Sequence, residues 1–219
     1  LYHWLQQLSR KHEIHLLCFV DPARRADAGP SALGAALTAV HKVPLGRWQR
    51  RFNAVLRLGS ALPVNVTATL SAAMQRQVDT VLAKAQAAGQ PFDALLCYRL
   101  KMAPYALRFR GPRLLDYTDS LTRYAERRSV ALRLQGRGLA ARWWKRQARQ
   151  CAAFEIACAA QFDAGFFNSS QDCAALQAMA PAFAKKLEVA ANGVVQASLS
   201  KLPRPLGPAS AAGGCHLAY

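Results

Sequence analysis

Short apolar runs punctuate the chain at six places: Ile14-His-Leu-Leu-Cys-Phe-Val20, Val40-His-Lys-Val-Pro-Leu45, Phe92-Asp-Ala-Leu-Leu-Cys-Tyr98, Arg113-Leu-Leu-Asp-Tyr117, Asp163-Ala-Gly-Phe-Phe-Asn168 and Leu187-Glu-Val-Ala-Ala191. Each run ends in polar or turn-forming residues, which is the length and punctuation of a β-strand. Longer stretches with helical spacing separate them, at 30–38, 47–58, 68–89, 101–109, 120–160 with a break near Gly136 and Gly138, and 170–179. Strands alternating with helices predict parallel strands joined by crossover helices. Runs as continuously apolar as Ala94-Leu-Leu-Cys-Tyr98 are expected where helices cover both faces of a sheet. The predicted fold class is therefore α/β, a doubly wound parallel sheet of Rossmann-like type.

In such a sheet ligands sit beyond the carboxyl ends of the strands. Those ends are Asp21, Arg99, Thr118 to Ser120, Asn168 to Ser170, and Asn192-Gly193. The chain opens inside a helical pattern, with Leu1, Trp4, Leu5 and Leu8 at helical spacing. If that helix is the first crossover, a central strand and its loop belong before Leu1. The expectation is a truncated domain over 1–195 that lacks its first strand, followed by a linker or disordered tail over 196–219. Removing a central strand splits a sheet and bares hydrogen-bonding edges, which predicts poor stability for the chain alone.

Composition narrows the classes of function. The 219 residues, 52% hydrophobic and 19% charged, suffice for one domain with a core. Lys and Arg outnumber Asp and Glu by 29 to 12, so anionic partners are favoured: nucleic acid, phosphorylated metabolites or an anionic membrane surface. Every long apolar run is interrupted before the ~20 residues a membrane span needs. The N-terminus does not read as a signal peptide. Cys18, Cys97, Cys151, Cys158, Cys173 and Cys215 form no close C-x-x-C pair, so no metal and no cofactor are expected and a reducing cytosol fits best. The sequence holds no H-E-x-x-H, G-x-S-x-G or Walker loop, and His3, His12, His15, His41 and His216 are dispersed. His15 and His41 read as core or surface histidines rather than bases.

Three segments carry candidate chemistry. In Asp116-Tyr-Thr-Asp-Ser-Leu-Thr-Arg123 a strand runs into a helix, and Ser120 or Asp119 can cap that helix. The same turn could act on substrate, with Asp119 orienting a sugar or alcohol hydroxyl and the helix N-terminus attracting phosphate. Arg99 and Lys101 follow the third run and could bind phosphate. Between Arg123 and Arg149, eight Arg and one Lys face the single acid Glu126. That stretch contains Arg142, Trp143, Trp144, Lys145, Arg146 and Arg149, a basic helix with aromatic anchors suited to an anionic bilayer interface. A solvated face with the Trp residues packed inward fits the same composition. No nucleic-acid motif accompanies the charge, and no nucleic-acid partner is expected.

The order of these landmarks resembles the N-terminal, acceptor-side domain of glycosyltransferase family 4. Ser9-Arg-Lys-His-Glu-Ile-His-Leu16 is similar to that family's first helix-to-strand junction, and Phe92-Asp-Ala-Leu-Leu-Cys-Tyr98 to a later strand. Leu114-Leu-Asp-Tyr-Thr-Asp-Ser120, Glu155, Phe162-Asp-Ala-Gly-Phe-Phe-Asn-Ser-Ser170 and Val189-Ala-Ala-Asn-Gly-Val194 follow in family order. The D-x-x-D-S turn and the Tyr124-Ala125 pair look most like the branch of sugar transferases associated with exopolysaccharide and PEP-CTERM systems. The resemblance implies a GT-B architecture of two Rossmann-like domains and a retaining transfer to an acceptor hydroxyl. The donor would be a nucleotide-sugar held by a C-terminal domain absent here, and the acceptor a polysaccharide or lipid-linked glycan. Taken with the strand-end positions above, this makes Asp119 the catalytic candidate and Arg99, Lys101, Thr118, Ser120, Asn192 and Gly193 the candidates for acceptor or substrate binding. The implied location is cytoplasmic, with the inner face of the plasma membrane as the surface it would meet.

Three departures accompany the resemblance. Thr118 stands where many members carry a His, the usual N-G-V-D ending is Asn192-Gly-Val-Val195, and the paired-Glu donor motif is missing. The chain alone is thus expected to be inactive. A nucleic-acid-binding α/β module and a non-catalytic small-molecule-binding Rossmann module are the competing readings.

Overall fold

The computed structural model describes residues 2–23 and 37–191. Asn192, Gly193, the 196–219 tail, Cys215 and most of the helix expected at 30–38 lie outside those residues. The described chain is α/β with parallel sheets. Its strands are β1 (His15–Val20), β2 (Ala39–Pro44), β3 (Leu95–Tyr98), β4 (Arg113–Thr118), β5 (Ala164–Phe167) and β6 (Leu187–Val189). All six fall within a residue or three of the predicted runs. Its helices are α1 (Tyr2–Leu8), α2 (Arg47–Leu56), α3 (Val64–Thr67), α4 (Ala72–Ala87), α5 (Leu121–Leu134), α6 (Gly138–Gln161) and α7 (Ser170–Met179).

Every strand pairing is parallel, but the strands fall into two sheets. One holds β1 and β2; the other runs β3-β4-β5-β6 in chain order. Among the described residues β1, β2, β3 and β6 each have one unpaired edge. Parallel neighbours in chain order require crossovers, and α5 with α6 and then α7 supply them between β4, β5 and β6.

Local chemistry explains where the helices differ from their predicted spans. α4 starts at Ala72 because the Ser71 hydroxyl accepts the Met74 N–H at 3.3 Å. Residues 68–71, included in the predicted span, precede α4, and the short helix α3 at Val64–Thr67 lies outside that span altogether. The segment expected to be helical over 101–109 is a 3-10 helix, Leu100–Ala106, with Pro104 inside it. Pro104 lacks an N–H and cannot join a longer α-helical ladder. The stretch over 120–160 divides into α5 and α6 at Gly136, whose φ of 72° is the left-handed conformation that glycine adopts without strain.

The larger core lies between the four-stranded sheet and α6 and α7, built from Leu115, Tyr117, Phe162, Phe167, Cys158 and Leu176. The rings of Tyr117 and Phe167 stack at 4.6 Å. A smaller core joins Val43 of β2 to Met74 and Val78 of α4 and to Tyr105. The Tyr105 hydroxyl donates to Thr69 O at 2.6 Å and accepts from Ser71 N at 2.8 Å, tying the 3-10 helix to the entry of α4.

Candidate functional site

The carboxyl ends of β3, β4 and β5 form one rim. Tyr98 pairs with Asp116, and Thr118 with Phe167, so Arg99, Thr118 and Asn168 leave three adjacent strands side by side. Backbone bonds hold them there: Arg99 N donates to Asp116 O at 2.7 Å and Asn168 N to Thr118 O at 2.8 Å.

Two residues on this rim have positive φ without being glycine, Arg99 at 73° and Thr118 at 64°. Asp119 N donates to Tyr117 O at 2.9 Å, an i→i+2 bond that makes Thr118 the centre of a tight γ-turn. A β-branched residue there is strained, and the β4–β5 register shifts between Asp116 and Thr118 as the chain bends. The turn lifts Asp119 clear of the sheet. Asp119 is exposed and its carboxylate has no hydrogen-bond partner among the described residues.

Behind it sits Asp116, buried, whose carboxylate accepts the Thr118 N–H at 2.7 Å. Burial pushes the Asp116 carboxyl up, while the Thr118 N–H and the Arg99 guanidinium favour its ionised form. On the neighbouring strand exit Arg99 is exposed and Lys101 half-buried. Partial burial lowers the Lys101 ammonium pKa, and the like charges of Arg99 and Arg50 lower it further. Three cations therefore share this end of the molecule, an arrangement that an incoming anion relieves.

Ser120 is different. It is fully buried and is the N-cap of α5, its Oγ accepting the Arg123 N–H at 3.2 Å and its N donating to Asp172 Oδ2 at 3.1 Å. Of the two sequence readings for Ser120, capping is what the structure shows; its side chain is not offered to a substrate. The phosphate role suggested for the α5 N-terminus is corrected likewise. Glu155, buried on α6, accepts Leu121 N at 2.7 Å, Thr122 N at 3.2 Å and Thr122 Oγ1 at 2.7 Å. A carboxylate of the chain already occupies the position a phosphate would take. Arg123 is turned to Asp172 at 2.9 Å, so it too is committed within the fold. Sequence reasoning placed Glu155 in a long helix but could not see this role, because 34 residues separate it from Leu121.

The basic segment on α6 divides in the same way. Arg142, Lys145, Arg146 and Arg149 are exposed, whereas Trp143 and Trp144 are half-buried. Their rings meet edge to face at 5.0 Å, and Trp144 meets Tyr124 of α5 at 5.6 Å. Trp144 thereby ties α6 to α5, and Trp143 packs against Trp144. The buried thiols are inert: burial pushes Cys97, Cys151 and Cys158 each up to about 12. Among the described residues no group of three or more His, Cys, Asp or Glu is placed to hold a metal ion. Nor is any helix among them long and apolar enough to cross a membrane. A shallow depression of about 480 Å³ lies between α4 and the segments leading into β3 and β4, lined by Leu82, Phe92, Arg108 and Phe109 among others. It is at the amino ends of the strands, away from the rim.

Comparison with protein-family models, with curated proteins and with solved structures gives no match for this chain.

Proposed function

We propose that this chain is the acceptor-side half of a retaining glycosyltransferase of GT-B architecture, transferring a sugar from a nucleotide-sugar donor to a polysaccharide or lipid-linked glycan at a cytoplasmic surface. The observation that carries the reading is the strained Thr118 turn, which presents the exposed Asp119 carboxylate at the carboxyl rim of a parallel sheet, one strand over from the exit that carries Arg99 and Lys101. Backbone strain persists where the surrounding structure enforces it, and such positions cluster at sites that bind or react.

On this reading Asp119 accepts a hydrogen bond from an acceptor hydroxyl and orients its oxygen for attack on the anomeric carbon. Arg99 and Lys101 provide positive potential toward the diphosphate that departs. On the same reading a donor site lies chiefly on a second domain, and acceptor binding is the part of the activity that residues of this rim would carry. Saturation-transfer NMR of the chain with a panel of bacterial oligosaccharides tests this. Glycan resonances should receive saturation from the protein and lose it in Asp119→Ala; a panel that receives none overturns the reading.

The cation group supports a second reading, a non-catalytic module for a phosphorylated small molecule, since partial burial and the charges of Arg99 and Arg50 disfavour the Lys101 ammonium, and a bound anion would offset that. Binding of inorganic phosphate at the rim, with no glycan bound, favours it.

A further inference from the structure

Helix α2 is built inside out. Its sequence, Arg47-Trp-Gln-Arg-Arg-Phe-Asn-Ala-Val-Leu56, places Trp48, Phe52, Val55 and Leu56 on one face, one turn after another. In a helix that packs by the usual rule this stripe faces the core. Here it faces water: Trp48 is 75% exposed, Phe52 66%, Val55 67% and Leu56 66%, and α2 has no buried residue. The polar side of the helix is the one turned to the protein. Asn53 donates to Leu70 O at 2.9 Å and Arg50 is half-buried.

The charge around the stripe selects its partner. Arg47, Arg50, Arg51 and Arg57 lie on or beside α2, and the sequence has no acidic residue from Arg47 to Val78. The Arg51 guanidinium sits over the Trp48 indole, 5.2 Å from its ring centre. The loop leaving α2 is held against α6: Gln150 donates to Ser60 O at 2.6 Å, and Gln147 accepts the Val64 N–H at 2.9 Å. These bonds bring the α2 exit next to the helix that carries exposed Lys145, Arg146 and Arg149. A second copy of a chain with net charge +17 would meet this surface with like charge. A nucleic acid would match the arginines but leave four large apolar side chains wet. An anionic bilayer satisfies both, because the stripe enters the acyl boundary while the arginines meet lipid phosphates.

We propose that α2 is a membrane-docking helix that lies in the headgroup plane of an anionic bilayer, with Trp48, Phe52, Val55 and Leu56 inserted and the α6 cations as auxiliary contacts. This shifts the principal anchor from Trp143 and Trp144, which are half-buried and packed on each other, to Trp48 and Phe52. The inference does not depend on sugar transfer, and its test contains no sugar.

The experiment is flotation of the full 219-residue chain with phosphatidylcholine vesicles, with and without phosphatidylglycerol. The chain should float with the phosphatidylglycerol vesicles and not with pure phosphatidylcholine. Trp48→Ser/Phe52→Ser should weaken that binding by at least about tenfold, while its far-UV circular dichroism stays that of the parent because both side chains point outward. Arg142→Gln/Arg146→Gln should weaken it less and mainly at low salt. Undiminished flotation of Trp48→Ser/Phe52→Ser overturns the proposal, as does equal binding to both vesicle types. Two further results overturn it: self-association that Trp48→Ser/Phe52→Ser abolishes, which identifies a second copy as the occupant, and tight duplex DNA binding lost in the same variant.

Discussion

The carboxylate of Glu155, in the C-terminal half of α6, accepts the backbone N–H of Leu121 at 2.7 Å and so closes the N-terminus of a different helix, α5. The same carboxylate takes both the N–H and the hydroxyl of Thr122. Four first-turn N–H groups of a helix have no partner within it. Ser120 satisfies one by capping Arg123, and Glu155 satisfies two more from a distance. The link fixes the angle at which α5 leaves β4, and thereby the turn carrying Thr118 and Asp119.

Removing that carboxylate should therefore loosen both the helix pair and the rim. Glu155→Ala leaves the buried Thr122 N–H and the half-buried Leu121 N–H unpaired and should cost about 3 kcal/mol, read as a lower urea midpoint. Glu155→Gln keeps an acceptor for Leu121 and should cost about 1 kcal/mol. Its pH dependence has a definite sign. Burial raises the Glu155 carboxyl above its ordinary value, against hydrogen bonds from Thr122, Leu121 and Ser120. A raised folded-state pKa stabilises the fold below the unfolded value and loses that contribution as pH climbs through the folded one. The gap between parent and Glu155→Gln should thus narrow on raising the pH through that window. A gap that widens contradicts the assignment.

The strands were the most legible part of the chain. Buried parallel strands are short, apolar and bounded by turn residues, so Leu95–Tyr98 and Arg113–Thr118 announce themselves in sequence. The helix break at Gly136 was equally visible. What the sequence hid was everything set by distant partners. Ser120 and Asp119 are equivalent candidates as caps until Glu155 and Asp172 arrive from 35 and 52 residues away. Periodicity also predicted α2, at 47–58 against Arg47–Leu56, but not that its apolar stripe is exposed, because amphipathicity reports that a face exists and not what covers it. The positive φ at Thr118 had no signal at all, since residue type there argues against it.

Gly165 in β5 is a packing requirement rather than a conformational one. A Cβ at this position would stand 2.7 Å from the Tyr117 ring and 2.9 Å from a Leu187 methyl, under the Tyr117–Phe167 stack. Neither neighbour has room to retreat, because both belong to the main core. Gly165→Ala should destabilise by about 1–3 kcal/mol, with the near-ultraviolet dichroism of the aromatic stack altered. An unperturbed midpoint would mean that β5 shifts at little cost.

Thr118 offers the opposite experiment. Strain at a single unfavourable φ costs about 1–3 kcal/mol, whereas glycine adopts it freely and loses about 1 kcal/mol through its greater unfolded-state entropy. The balance predicts that Thr118→Gly unfolds at a higher urea concentration, by about 1 kcal/mol. If the turn serves to present Asp119, the same variant should bind glycans more weakly because the carboxylate is less rigidly held. Stabilisation with undiminished binding would separate the strain from the site.

His41, on β2 in the two-stranded sheet, supplies a pH-dependent readout of its own. Its Nδ1 lies 3.4 Å from the Gln77 amide nitrogen, its ring is 5.8 Å from that of His15, and Lys84 adds a further positive charge. Burial, then His15, then Lys84 lower its pKa below the ordinary imidazole value. A base with a lowered folded-state pKa is protonated first in the unfolded chain. Its contribution is complete above about pH 6.5 and is lost as the pH falls from there through the folded value. His41→Gln should flatten the stability profile across that interval. Lys84→Gln should move the His41 titration, followed by NMR of its ring protons, toward higher pH, because it removes one of the two repelling charges. A His41 resonance titrating at or above the ordinary value in the parent would show that β2 is open to solvent here, and that α4 does not cover it.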